Sequence, residues 1–239
     1  MLNRPLATNN KIMKKTLFAV VLIFTTLLSY SQARVNRDLS AFDKVIVAGD
    51  IKLELTQCGK EDAAIVVKEA SPDEVITEIT GRTLKIKFNA YKFSKKGEAT
   101  VFLNFNKIRE ISVEAGAEAT LRTNLKADFF KAEVSGGGVF SGDVDVNALE
   151  LRAVQGAVLK VNGKAVSVEG TANTGGEIRG KELECEDAVI KANTGGTVSV
   201  AVTRSIDATA GTGGTVYYKG NPLKESTSSN LGGTITHER

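Results

Sequence analysis

A glycine-centred signature returns seven times along the second half of the chain, and no other feature restricts the possible folds as strongly. Ala115-Gly116-Ala117 is followed by Gly136-Gly137-Gly138, Gly156-Ala157, Gly175-Gly176, Gly195-Gly196, Gly213-Gly214 and Gly232-Gly233. With Gly116, Gly137, Gly156, Gly175, Gly195, Gly213 and Gly232 as marks, the intervals are 21, 19, 19, 20, 18 and 19 residues. A near-constant period of this size is the mark of stacked repeats.

The positions around the marks sort into columns. Three residues after each mark stand Ala119, Phe140, Leu159, Ile178, Val198, Val216 and Ile235, all apolar. Three before stand Val113, Val134, Ala153, Ala172, Ala192 and Ala210, ending at Ser229; the columns five and seven before are also mostly apolar. Apolar residues at every second position have the period of a strand with one buried face, whereas a helix requires offsets of three and four. Each unit is therefore strand, glycine corner, strand. Glycine suits the corner because it reaches positive φ without a Cβ clash. A unit this short has no room for a strand plus crossover helix, which takes roughly 30 residues or more. The pattern predicts an all-β parallel β-helix, a β-solenoid of about 19–20 residues per coil, stacked at ~4.8 Å.

The start of the chain has a different logic. Lys14 and Lys15 precede an apolar run from Thr16 to Leu28, and Ser29-Tyr30-Ser31 supplies small residues for cleavage. This order reads as a secretory signal peptide preceded by an upstream extension, residues 1–31, with the mature chain starting at Gln32 or alternatively Ala33. The apolar run is short for a membrane span, so no transmembrane anchor is expected after cleavage. Removing Arg4, Lys11, Lys14 and Lys15 with no acid turns the formal net charge from +3 to −1. The basic balance of the full chain thus says nothing about nucleic acid, and no basic patch with interleaved aromatics appears. Export places the protein in the periplasm, at the outer surface or outside the cell. That compartment permits disulfides, but Cys58 lies beside Gly59 in an expected turn and Cys185 in a buried column with Val146 and Ala165. Both are read as free thiols.

Residues 32–108 are strand-rich but lack the glycine phase. Val45/Val47, Ile51/Leu53/Leu55, Ile65/Val67, Leu84/Ile86/Phe88 and Val101/Leu103/Phe105 alternate with polar neighbours, as half-buried strands do. Ser71-Pro72-Asp73-Glu74 is a helix-start signal, and one or two helical turns are expected there. No linker separates this part from residues 109–239, so the strands are expected to run on into the glycine-cornered coils. Tyr91-Lys92-Phe93-Ser94-Lys95-Lys96-Gly97 reads as a polar loop; both a solvated loop and a ligand-contacting one through Tyr91 and Phe93 stay open.

Several segments resemble a known family. They are Phe42-Asp43-Lys44-Val45-Ile46-Val47, Gly81-Arg82-Thr83-Leu84-Lys85-Ile86, the run Ile108-Arg109-Glu110-Ile111-Ser112-Val113 before its small-residue turn, and the closing Gly213-Gly214-Thr215-Val216-Tyr217-Tyr218-Lys219-Gly220-Asn221-Pro222. Together they resemble the head GIN domain family of putative autotransporter adhesins over roughly residues 39–222. The resemblance implies a right-handed parallel β-helix and a cell-envelope or extracellular location. It brings no catalytic residues, and fold alone is a poor guide to function.

The chemistry-bearing residues are few. Asp143 and Asp145 flank Val144, and Glu182 and Glu184 flank Leu183, so all four carboxylates are expected to point outward. The coil between contributes Asn162 and Lys164. Eleven residues before successive marks stand Lys126, Asp145, Lys164 and Glu184, expected to form one outer ladder with alternating charge. A neutralised ladder, a Ca²⁺ site and a polysaccharide-cleaving carboxylate pair are the competing readings. The single histidine, His237, lies near a free end without partners for a metal site or a nucleophile relay. No phosphate loop or nonapeptide calcium repeat is present. The expected function is a secreted, non-enzymatic binding or adhesion module that presents a regular face to glycan or cell-surface protein, without cofactor or metal. The alternatives are a polysaccharide lyase or hydrolase and a structural envelope protein without ligand. Candidate contacts are Tyr91, Phe93, Asp143, Asp145, Glu182, Glu184 and Tyr217.

Overall fold

The computed structural model describes residues 33–68, 71–89 and 98–238. The leader segment and the loop carrying Tyr91 and Phe93 lie outside the described residues. Seventeen strands join in one continuous sheet system that winds around a single core. They are β1 (Ala33–Asp38), β2 (Lys44–Ala48), β3 (Ile51–Gln57), β4 (Asp62–Lys68), β5 (Val75–Thr80), β6 (Thr83–Phe88), β7 (Glu98–Phe105), β8 (Glu110–Glu114) and β9 (Glu118–Leu121). The repeats follow as β10 (Leu125–Val134), β11 (Val139–Val154), β12 (Val158–Asn173), β13 (Glu177–Asn193), β14 (Thr197–Gly211), β15 (Thr215–Lys219), β16 (Lys224–Ser229) and β17 (Thr234–Glu238).

From β8 onward the chain is a parallel β-solenoid in which each coil pairs in register with the next. A coil has a pre-turn limb, a glycine turn and a post-turn limb, and a bend leads to the next coil. The turns explain the period. All seven place two successive residues at positive φ, 47–59° and then 71–82°. With the hydrogen bond from the fourth residue back to the first, such as Gly176 N–H to the Asn173 carbonyl at 2.9 Å, this is the pattern of a type I′ turn. The turns also stack, since Gly175 N–H donates to the Thr194 carbonyl and Gly195 N–H to that of Thr212.

The two glycines of a turn have different tasks. A Cβ built on Gly175 (φ 72°) meets nothing within 4 Å, so this residue is there for its backbone angle. A Cβ on Gly176 lies 2.2 Å from the Ala153 carbonyl oxygen of the coil below, so this residue is there for clearance.

Inside, the apolar columns stack in register. Val134, Ala153, Ala172, Ala192 and Ala210 form one fully buried file, which pairs onward to exposed Ser229. Phe140, Leu159, Ile178, Val198 and Val216 form the facing file.

Residues 33–108 extend the same stack but not in chain order. β2 pairs with both β6 and β8, and β3 with both β7 and β9, so the coil built from β2 and β3 sits between that of β6 and β7 and that of β8 and β9. Beyond it, β5 pairs antiparallel to β6, β4 to β7, and β1 to β4. This end is thus closed by three antiparallel strands. The expected helix is reduced to one 3-10 turn, Pro72–Glu74, and Val75–Thr80 is strand. The capping box does form: Glu74 Oε1 accepts from Ser71 N–H at 3.0 Å, and Ser71 Oγ from Asp73 N–H. Val75 and Ile79, four apart, fit a period of two as well as a helical one, and the edge of β6 offers β5 a hydrogen-bonding partner. Cys58 is exposed and Cys185 buried, both unpaired; burial, aided by nearby Asp187, pushes the Cys185 thiol up to about 12.

Candidate functional site

The outward carboxylates obey the predicted register. Lys126 pairs with Asp145, Asp145 with Lys164, and Lys164 with Glu184, and all four side chains are exposed. Register does not bring contact, however. No two ladder members form an ion pair within 4 Å among the described residues. Asp143 instead accepts a hydrogen bond from Asn162 Nδ2 at 3.0 Å on the next coil.

Glu182 departs from the ladder. β13 carries extra residues after Gly180, and the pairing shifts there against both β12 and β14. The bulged Lys181-Glu182 pair lies as a strap across β14. Glu182 reaches Lys219 at 3.3 Å, and Lys181 reaches Glu238 at 2.8 Å. Beneath the strap, Ser199 is 6 % exposed, and its Oγ accepts from Gly180 N–H and donates to the Ile178 carbonyl, both at 3.3 Å. Alternation along β14 predicts an outward, solvated Ser199; the strap buries it.

A groove of about 720 Å³ opens beside this strap on the post-turn face. Ser141 and Gly142 lie at one side, Lys160 and Arg179 along it, and Glu182 and Tyr217 towards the last coils. Lys181 Nζ sits 5.7 Å from the centre of the Tyr217 ring. The in-register column Ser141–Lys160–Arg179 continues through Ser199 to Tyr217, so the groove crosses successive coils rather than following a strand. Its carboxylates are engaged. Glu177 accepts both donors of Arg179 at 2.6 Å, which holds it below the usual carboxylate range. Glu182 and Glu238 are in the strap pairs. Lys160 is left without an ion pair among the described residues.

Of the sequence candidates, the groove gathers Glu182 and Tyr217, together with Asn162, the partner of Asp143. Asp145 lines a different concavity at the bends, and Glu184 stays on the outer ladder. Sequence reasoning missed Lys160, Arg179 and Lys181. The first two stand four residues after their marks, in a column that reads Thr120, Ser141, Lys160, Arg179, Ser199, Tyr217 and Thr236 and so carries no regularly repeated charge. Lys181 depends on the bulge. His237 is exposed as expected, yet it stacks on Tyr218 with ring centres 4.6 Å apart and contacts the Gly220 carbonyl at 2.7 Å through Nε2. No group of three or more His, Cys, Asp or Glu side chains is placed to hold a metal among the described residues.

Similarity to known proteins agrees with this architecture. Residues 41–222 match the family described as "Putative auto-transporter adhesin, head GIN domain". The chain belongs to this family. Among solved structures, a putative adhesin from Bacteroides fragilis NCTC 9343 superposes with a TM-score of 0.80 at 20% identity, covering 88% of this chain and 98% of that one. A putative lipid binding protein from Parabacteroides distasonis ATCC 8503 gives 0.69 at 18%, again over 88% and 98%. A putative adhesin from Parabacteroides merdae ATCC 43184 gives 0.65 at 18% over the same shares. At these identities the likeness establishes the fold. No curated protein matches the sequence. No helix among the described residues is long and apolar enough to cross a membrane.

Proposed function

We propose that this head GIN domain is an exported, non-enzymatic binding or adhesion module whose ligand lies along the groove of the post-turn face. The observation that carries this reading is a coil-crossing groove of about 720 Å³ with an unpaired lysine, an aromatic ring and hydroxyls on one rigid sheet. A ligand crossing the coils meets a new set of side chains every ~4.8 Å, which suits an extended glycan or peptide. Pairing of the groove's carboxylates with Arg179, Lys181 and Lys219 favours binding over acid–base chemistry, which needs a free carboxyl within reach of the substrate. The signal-peptide pattern at residues 1–31 and the adhesin family support export.

An apolar ligand, as the name of the Parabacteroides distasonis relative suggests for that protein, finds no room among the buried aromatic rings. The interior gap between Leu55, Phe105, Ile108, Leu125, Phe130 and Phe140 leaves no space for even a water molecule. The test is a panel of glycans and extended peptides presented to the mature protein and to Lys160→Ala and Tyr217→Ala variants. Binding that both substitutions weaken by about tenfold is expected. Binding that neither changes would remove the groove from consideration, and new reducing or unsaturated ends would move the protein to the enzymes.

A further inference from the structure

A second concavity, of about 780 Å³, lies at the bend edge where the chain order of the stack breaks. In the regular coils each bend joins a post-turn limb to the next pre-turn limb. The coil of β2 and β3 has no such bend, because after Gln57 the chain leaves for β4. The segment Asn106–Arg109 then runs from β7 past that level to β8. The missing bend leaves a recess, and the Gln57 amide stitches its floor. Gln57 Oε1 accepts from Lys126 N–H at 3.0 Å, and Nε2 donates to the Asn106 and Lys126 carbonyls at 3.2 Å.

Paired and unpaired cations both occur on this surface; Lys160 and Lys164, for example, hold no carboxylate within 4 Å among the described residues. On the outer faces, Lys44, Lys131, Arg152, Arg179 and Arg204 all hold carboxylates within 4 Å. Lys107, Arg109 and Lys126 converge on the recess with Asp128 and Asp145, and none of the five forms an ion pair among the described residues. Asn147 donates to Asp128 at 3.1 Å, and half-buried Phe129 forms a wall with the Arg109 guanidinium 5.8 Å from its ring centre. Unpaired cations suit a carboxylate, Asp145 and Asp128 suit hydroxyl donors, and an apolar wall suits the C–H face of a ring.

We propose that this recess is a binding site for an acidic saccharide, with Lys107, Arg109 and Lys126 on the sugar carboxylate and Asp145 and Asp128 on its hydroxyls. The site is separate from the post-turn groove and stands without it.

Calorimetry on the mature protein with trigalacturonate, and with the neutral galactose trisaccharide, tests the assignment. Trigalacturonate is expected to bind, with affinity falling as salt rises. The neutral sugar is expected to bind at least about tenfold more weakly. Lys107→Gln/Lys126→Gln and Asp145→Asn, on exposed side chains, should each weaken trigalacturonate about tenfold while leaving the melting temperature in place. Lys87→Gln, on an exposed side chain outside both concavities, should leave it unchanged. Absence of trigalacturonate binding, equal affinity for the neutral sugar, or a loss confined to Tyr217→Ala would each overturn the site. Neither the last result nor a failure of the Tyr217 and Lys160 variants on the other face can be mistaken for the other.

Discussion

The two parts of the solenoid reach the same cross-section by different routes. From β8 to β17 each coil stacks on its predecessor in the sequence, turned by the same two-residue left-handed corner. Between β2 and β7 the order is shuffled, and the outermost coil, β6 with β7, comes after the coil it covers. The interiors differ accordingly. The file that reads Ile86, Val47, Val113 and Val134 at the shuffled end becomes Ala153, Ala172, Ala192 and Ala210 in the repeats. Buried aromatic rings fill the shuffled end and the first repeat coils, Phe105, Phe130 and Phe140 among them, while the later coils bury aliphatic side chains such as Ile178, Ile190 and Ile206. A repeat is specified locally and many times over; the shuffled part is specified once, by side-chain volume.

The largest effects should come from breaking each part by its own logic. Phe105→Ala removes a fully buried ring from the shuffled end, and the cost expected for such a cavity is ~3–5 kcal/mol. Thermal or denaturant unfolding checks it, and a loss under about 1 kcal/mol would mean that this end collapses freely onto the hole.

Next in size, Gly176→Val should cost about 3 kcal/mol or more, because its first side-chain atom already meets the Ala153 carbonyl. Gly175→Asn, one residue away, should cost under about 1 kcal/mol, since Asn tolerates the left-handed region and the space is open. Equal losses at the two positions would erase the distinction between an angle-setting and a clearance glycine. Ala117 and Ala157 occupy the clearance position in two other turns, so the rule is local to turns whose neighbouring carbonyl stands as close as that of Ala153.

The two ends should also differ in amide exchange. β6 is covered by antiparallel β5 and buries Leu84 and Ile86. β16 is exposed at all six residues, because Glu225, Thr227 and Ser229 stand where earlier coils place Ile206, Ala208 and Ala210. Its amides should exchange well ahead of those of β6 in a hydrogen-exchange time course. A polar terminal coil has the character of a capping repeat, and equally slow exchange at both ends would require a partner over β16.

The periodic part was legible because each coil restates the rule: the turn, the apolar files and the Lys126–Asp145–Lys164–Glu184 register follow from spacing alone. The shuffled order was not legible. Alternation identifies β2, β3, β6 and β7 as strands but carries no information about which pairs with which, since parallel neighbours all present the same half-apolar pattern. Val75–Thr80 shows the same limit, its spacing fitting two periods. The sites are hidden for related reasons. Arg179 and Lys160 stand on a regular column, whereas the Lys181–Glu182 strap and the Gln57 recess arise where the period slips or the order breaks.

The smallest effect contrasts how two bends are fastened. In the repeats, Asp187 accepts from Arg204 Nε at 2.9 Å and from Ser205 Oγ at 2.6 Å, and Arg204 also pairs with Glu186 at 2.8 Å. At the order break the neutral Gln57 amide does the equivalent work. The hydrogen bonds from Arg204, and then from Ser205, hold the Asp187 carboxyl well below its ordinary range. A carboxyl with a lowered folded value contributes stability that is complete above its unfolded value, about pH 4, and is lost as pH falls towards the folded one. Asp187→Asn should therefore melt slightly below the parent at neutral pH, with a gap that narrows progressively below about pH 4. The group is about half-buried at the surface, where solvent screens the pair, so the gap stays small. Gln57→Ala has no titrating partner in its bonds, and its loss should be the same at both pH values. A gap for Asp187→Asn that persists unchanged into acid would show that this bend, too, is held by geometry rather than charge.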